Sequence, residues 1–416
     1  MNIALEQASN HAAQYRPLTG LRVFEICASP APAFAGALAG DLGADVVIVE
    51  PPVTGSPLRR LGSPSVQRAW WATLARNKRS LALDSSRPEA SDVVARLAAI
   101  APGAVFRDDT SLGATFAQAG DGVLQDLYLY ATGADRPDLW PWSTRGEFAA
   151  AASGVMALTG FADGPAVSPE MPLADYCAGA LGLSAALAEL HAARRGCRKP
   201  RPISFALHEA LMRMNEWQVG VATAAGCAER RNGNRFPMNA NIGNIFRTRD
   251  GKLLTVSAAT PAVATRLLEM IGGEALAKDH RFATPMARRD NMDELNDRLA
   301  AWIAERDAVS VMEMARARDV VVGRIMDAGE VCSHPQIIAR KNIAKVDGIA
   351  MPAPVPRFAG TVPAVPASPP RVGQHSMDIL CELGFSVAEC TELLACGAVW
   401  REGEGTRSSD ATSRSN

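Results

Sequence analysis

Aromatic residues make up only 6% of this 416-residue chain, and neither charge is in excess: 43 Lys and Arg face 44 Asp and Glu. With no basic block there is no electrostatic footprint for nucleic acid or an acidic lipid surface, which argues against a polyanion-binding role. The eight cysteines (Cys27, Cys177, Cys197, Cys227, Cys332, Cys381, Cys390, Cys396) form no CxxC pair. They read as reduced, buried thiols of a cytoplasmic protein. Six scattered histidines form no HxxxH or HExxH pattern, so no metal site is expected. GxSxG and Walker loops are also missing, which removes the usual carriers of serine-hydrolase and P-loop chemistry. The opening MNIALEQASNHAAQY has neither a basic n-region nor an apolar h-region and does not read as a secretory signal. The charge-free stretch Phe148 to Ala162, which no other exceeds in length, is too short to span a bilayer.

What is plentiful is Gly (34), Pro (27) and Ala, a composition suited to small-residue helices packed closely on a sheet. LRVFEIC (Leu21 to Cys27), then PAPAFAGALAGDLGA, then DVVIVE (Asp45 to Glu50) reads as a βαβ unit. Further strands are expected at Ser80 to Asp84, Gly103 to Arg107, Leu127 to Thr132 and Pro202 to Leu207, giving a parallel, doubly wound α/β sheet. A long Ala/Gly-rich helix follows Pro172, with Asp175 where an N-cap belongs, and another runs from about His208 to Ala225. The polar AERRNGNRFPMNANIGN then marks a change of logic. Beyond it a hairpin about Asp250-Gly251 opens a smaller α+β domain. The expected division is an N-terminal arm (1–16), a large Rossmann-like domain (17–228) and a small domain (229–332). A proline-rich linker and a C-terminal return to the large domain (333–402) follow, with a disordered tail (403–416) last.

Glu50, closing the second strand, invites a dinucleotide reading, but the loop after the first strand is ASPAP rather than GxGxxG. A strand-end acid is favoured there. Asp175 is a carboxylate at a helix start, held ionised by the helix dipole and first-turn amides. Position alone favours a capping role, yet such a carboxylate is also a nucleophile for acyl transfer.

Several segments then fall in one order: PLTGLRVFEI, LAGDLGADVVIVEPP, ARNKRSLALD, GVMALTGFADGPA, PLADYCAGALGLSAALAEL, GNIFRTRDG, HRFATPMARRDNMDELNDRL, HPQIIARKNI and GQHSMDILCELGF. Over roughly residues 17 to 398 this set resembles the class III CoA-transferases, the CaiB/BaiF type that includes formyl-CoA:oxalate and carnitine CoA-transferases. The resemblance implies an interlocked, ring-shaped homodimer whose Rossmann-like large domain is built from both chain ends. It also implies transfer of CoA from an acyl-CoA donor to a carboxylic acid acceptor, with no cofactor beyond coenzyme A as substrate. The family's nucleophile falls on Asp175, which would form first an acyl anhydride and then an aspartyl-CoA thioester. CoA contacts would fall on Ser29, Pro30 and Ala31, on Ala75, Arg76, Asn77 and Lys78, and on Glu147, with Arg59 and Arg60 in a lesser role.

The departures from the family pattern are local. FRDDTSLG stands in place of E-N-F-R-P-G, ATGADRPDLWPWS in place of G-Y-G-Q-x-G-P, and NANIGNIF in place of the glycine loop of formyl-CoA transferase, so oxalate is not supported as acceptor. α-Methylacyl-CoA racemases share the fold but pair the aspartate with a histidine. That place is Gly146 here, and no histidine lies between His11 and His191. A non-catalytic acyl-CoA-binding paralogue is the other alternative, against which the intact surroundings of Asp175 stand. Trp70, Trp71, Trp140 and Trp142 could line an acyl pocket, although packing is the commoner role of tryptophan.

Overall fold

The computed structural model describes residues 16–100, 102–119, 124–131, 146–196, 199–234, 242–359, 361 and 366–402. The expected N-terminal arm up to residue 15, the tail 403–416, the loop carrying Trp140 and Trp142, and Cys197 lie outside the described residues. Two compact units emerge, one of 1–155, 169–215 and 336–416 and one of 156–168 and 216–335. The second unit thus begins at 216 rather than 229 and also takes 156–168.

The first unit is built on strands β1 (Arg22–Ile26), β2 (Asp45–Glu50), β3 (Lys78–Leu83), β4 (Gly103–Arg107), β5 (Gln125–Tyr130) and β6 (Ile203–Ala206). Its helices are α1 (Pro30–Asp41), α2 (Pro64–Ala75), α3 (Ala90–Ala98), α4 (Ser111–Ala119), α5 (Glu147–Ala152), α6 (Leu173–Gly196), α7 (Leu207–Met214), α8 (Ser376–Glu382) and α9 (Val387–Ala395). RVFEI and DVVIVE are nearly continuous apolar runs, as strands buried on both faces require. The sheet order is β7-β3-β2-β1-β4-β5-β6, parallel except for the short edge strand β7 (Val399–Trp400), which runs antiparallel to Ala82 and Leu83. The far end of the chain therefore completes the sheet that its beginning opens.

One face buries Phe24, Ile26, Val47, Val49, Leu81 and Leu83 under α3, α8 and α9. The other is covered by α1 and α6, whose alanines and glycines permit close approach. A Cβ on Gly179 of α6 would lie 2.6 Å from the Ala31 carbonyl oxygen of α1. Length and composition alone would let α6 cross a membrane, but here it packs against α1, β5 and α7. It begins two residues before Asp175, which is a first-turn residue and not the expected N-cap.

The second unit joins strands Ile242–Arg247, Leu253–Ala258 and Val321–Arg324 into an antiparallel sheet. Helices Pro261–Ala277, Met292–Ala304 and Ala308–Arg316 cover it, burying Phe246, Leu254, Val256, Leu268, Phe282, Leu295 and Leu299. Its hairpin turns at Asp250 and Gly251 (φ 76°), where the Thr248 hydroxyl donates to Asp250 Oδ1 at 2.6 Å. The segment expected as one helix from His208 to Ala225 is two, broken at Asn215, where the units divide. Buried thiols were expected throughout, but Cys227, Cys332 and Cys381 are exposed, lying in a loop or on outward helix faces.

Candidate active site

In the first unit the strand order reverses between β1 and β4, because the helix after β1 lies on one face and the helix after β4 on the other. Such a switch point leaves a crevice at the carboxyl ends of the strands, where open α/β sheets bind ligands. Ser29 stands there as the residue before α1. It is buried, and its side chain does not cap the helix. The Ala28 and Ser29 amides both donate to Asp108 Oδ2 at 2.9 Å, across from the end of β4. Asp108 Oδ1 accepts from the Thr110 amide, and the Thr110 hydroxyl donates back to the Ile26 carbonyl. Pro30 and Ala31 follow directly, and Ala31 lies against Gly179, one helical turn beyond Asp175. Asp175 is 4% exposed. Its neighbour Tyr176 stacks on Phe34 of α1 with ring centroids 4.2 Å apart, in a half-buried cluster that includes Cys27, Trp70 and Trp71.

Burial and the nearby Glu25 and Asp108 charges push the Cys27 thiol well above its usual range, so it stays protonated and is no rival nucleophile. Burial likewise raises the Tyr176 hydroxyl. The structure thus brings Ser29, Pro30 and Ala31 together with the helix that carries Asp175.

The cationic segment 75–78 is placed differently. Arg76 forms a bidentate pair with Asp41 and Asn77 donates to the same carboxylate, so both sit at the C-terminal end of α1, opposite Ser29. Twelve helical residues rise about 18 Å between those ends. Ala75 is buried. Asn77, at φ 61°, also accepts from the Ala367 amide at 2.6 Å.

Lys78 points inward. Its Nζ donates to Glu25 Oε2 at 2.5 Å and to the Ala33 carbonyl at 2.8 Å, with no side-chain exposure. Gly36 makes room for this pair, since a Cβ there would fall 2.2 Å from Glu25 Oε2. The expectation of cations free for phosphates therefore differs from what is found. These side chains are committed inside the unit because each lies opposite an acid that the sequence places far away. Arg59 is similarly engaged by Glu50 in a bidentate pair and lies over the Trp71 ring. Glu50 also accepts from the Ser56 amide and the Ser80 hydroxyl, which settles it as a buried structural acid. Glu147 is exposed at the first position of α5, after Gly146 at φ 54°; the loop before it lies outside the described residues. Among the described residues no group of His, Cys, Asp and Glu is arranged to hold a metal ion.

Comparison with known proteins bears on this site directly. The CoA-transferase family III sequence pattern matches residues 18–102 and 141–376, which take in both the Ser29 loop and Asp175. The chain belongs to CoA-transferase family III. This family III enzyme is 32% identical over 385 residues to the succinyl-CoA–D-citramalate CoA-transferase of Chloroflexus aurantiacus, covering 88% of this chain and 94% of that one. It is 27% identical over 389 residues to the succinate–glutarate CoA-transferase of Agrobacterium fabrum, with 88% and 96% covered. A CaiB/BaiF family protein from Brucella suis has the same fold, with TM-score 0.76 and 25% identity over 89% of this chain and all of that one. The transferase's Asp108 and Glu25 were not singled out from the sequence. The only signal was an acid placed directly after β4 and another between Phe24 and Ile26 in β1.

Proposed function

We propose that this enzyme moves CoA from succinyl-CoA to a short dicarboxylic acid, with Asp175 as the nucleophile. The observation that supports the reading is the placement of Asp175 in the first turn of α6. The small-residue face of that helix presses it against the Ser29–Ala31 loop at the switch point of the sheet. Succinyl-CoA and dicarboxylic acids are the substrates named for the similar transferases.

The chemistry balances without an outside reagent. The Asp175 carboxylate attacks the thioester carbonyl, forming a succinyl-aspartyl anhydride and releasing CoA thiolate. The thiolate attacks the aspartyl carbonyl, which forms the aspartyl-CoA thioester and frees succinate. The acceptor carboxylate then attacks that thioester, and the released thiolate takes the acceptor's acyl group, restoring Asp175. One thioester is exchanged for another, so the reaction is close to thermoneutral. The protein has to orient the partners and shield the anhydrides from water. Ser29 and Ala31 are the proposed CoA contacts in the first unit, and Glu147 is a proposed active-site acid.

The test is to incubate the enzyme with succinyl-CoA, reduce with borohydride and examine the Asp175 peptide by mass spectrometry. Conversion of that side chain to the alcohol is expected, and Asp175→Asn should give neither the product nor turnover. Exchange of the α-proton of a 2-methylacyl-CoA without labelling of Asp175 would favour the racemase reading instead.

We also propose a homodimer in the cytoplasm. Helices α5 and α7 leave Phe148, Met212 and Met214 exposed, at 60, 42 and 53%. Light scattering is expected to return twice the chain mass, and a monomer at micromolar concentration would overturn the dimer.

A further inference from the structure

The crevice between β1 and β4 is bridged by the chain's own carboxylate. In an open α/β sheet this is where a ligand anion meets the amides at the start of the first helix. Here Pro30 and Pro32 have no amide to offer. The donors left at the approach to α1 include Ala28 and Ser29, and both are spent on Asp108 Oδ2 at 2.9 Å. Asp108 is 1% exposed and is further fixed through the Thr110 amide, so this bridge is built in. The loop is thereby held with Ser29 at φ −114° and ψ 155°, its hydroxyl left out of the helix cap and its neighbour Ala31 seated on Gly179.

We propose that Asp108 is a positioning residue for acyl-CoA. Its carboxylate occupies the anion cradle before α1, so that the substrate meets this loop through the Ser29 hydroxyl and its diphosphate is kept off the loop amides. The proposal rests on the CoA-transferase reading above and deepens it. It makes Asp108 a specificity device as well, because a dinucleotide bound in the usual way would need the place that the carboxylate fills.

Three variants and one control test it. Ser29→Ala removes only the hydroxyl and should raise KM for succinyl-CoA about fivefold, the value of one hydrogen bond, with kcat little changed. Asp108→Ala releases the Ala28, Ser29 and Thr110 amides and should raise KM on the order of tenfold. It should also create a site at which inorganic phosphate binds and competes with succinyl-CoA. Asp108→Asn keeps an oxygen for the two loop amides and should recover most of the KM lost in Asp108→Ala. Thr110→Val keeps the amide that donates to Asp108 and breaks the separate hydroxyl bridge to the Ile26 carbonyl, so it should lower Tm with a smaller rise in KM than Asp108→Ala.

Phosphate binding to Asp108→Ala, read by calorimetry, does not depend on turnover, so the positioning role and the transferase reading can fail separately. A folded Asp108→Ala that neither binds phosphate nor changes KM would overturn the proposal. Should Asp108→Ala not fold, a folded Ser29→Ala enzyme with KM for succinyl-CoA unchanged would overturn it equally.

Discussion

At the scale of single residues, the unit is organised by buried acids, each matched to one or more donors. Glu25 takes the Lys78 ammonium, Glu50 takes Arg59, Ser56 and Ser80, and Asp108 takes three backbone amides. Removing one member of a buried pair leaves the other charge uncompensated, a loss of about 3–5 kcal/mol. Lys78→Met is therefore expected to lower stability by that order at pH 8, where the lone Glu25 carboxyl must either bury its charge or hold a proton that the unfolded chain has released, and by less at pH 5.5. The Glu25→Met/Lys78→Met double variant should regain much of the loss in denaturant melts. Its KM for acyl-CoA should stay near wild type, whereas a clear rise would return Lys78 to phosphate binding. None of these pairings was legible in the sequence, because Glu25 and Lys78 lie 53 positions apart, and Ala28 and Asp108 lie 80. The position of Asp175 was legible, since Pro172 and a first-turn acid before an Ala/Gly run mark a helix start wherever they fall.

At the scale of elements, the decisive contact is the one between α1 and α6. Gly179 faces backbone atoms, the Ala31 carbonyl at 2.6 Å and the Ala35 amide at 3.1 Å from where a Cβ would stand. Backbone cannot yield as a side chain can, so Gly179→Ala must push α6 off the loop that holds Ser29. A stability loss of roughly 1–3 kcal/mol is expected. Activity should fall more than tenfold when assayed well below the variant's Tm, because the displacement also moves Asp175. Gly182→Ala on the same helix meets only leucine side-chain carbons at 3.0 Å or more and should keep most of its activity. Equal losses in the two variants would show that the α1–α6 spacing does not control the site. The strands of the sheet and the Asp250-Gly251 hairpin were readable because apolar runs and turn residues are local signals. Helices Pro64–Ala75 and Ser111–Ala119 were not, since PSVQRAWWATLA and SLGATFAQA have no clean apolar stripe. The hairpin Ile343–Val346 with Ile349–Pro352 carried its own Asp347-Gly348 turn signal, but the surrounding prolines made that stretch read as linker.

At the scale of the whole chain, the first unit is closed only when residues from the far end reach β3. The His375 amide donates to the Ser80 carbonyl, His375 Nδ1 accepts from the Ser80 amide, the Gly373 amide donates to the Ser80 hydroxyl, and β7 pairs beyond them. This closure and the Glu25 pair respond to pH in opposite senses. Burial pushes the Glu25 carboxyl up to about 7, more strongly than the Lys78 ammonium draws it down. The folded state thus holds a proton that the unfolded chain has released. That contribution is present below the usual carboxylate range and is lost as pH rises through about 7. His375 is held below its usual range, chiefly by burial and then by the Arg79 charge. A neutral imidazole is also what the Ser80 amide requires. Its contribution is present above the usual imidazole range and is lost as pH falls. The two slopes oppose each other just below the usual imidazole range, so the wild-type Tm should fall less steeply with rising pH there than that of a variant lacking the imidazole. Glu25→Gln should lose the falling slope and become more stable as pH rises through the imidazole range, from a Tm near pH 5 close to wild type, where the Glu25 carboxyl is already protonated. His375→Asn, whose side-chain oxygen can still accept from the Ser80 amide, should show the falling slope alone. Melting curves at half-unit pH steps separate the cases, and a Glu25→Gln profile parallel to wild type would mean that the buried carboxyl does not titrate in this window.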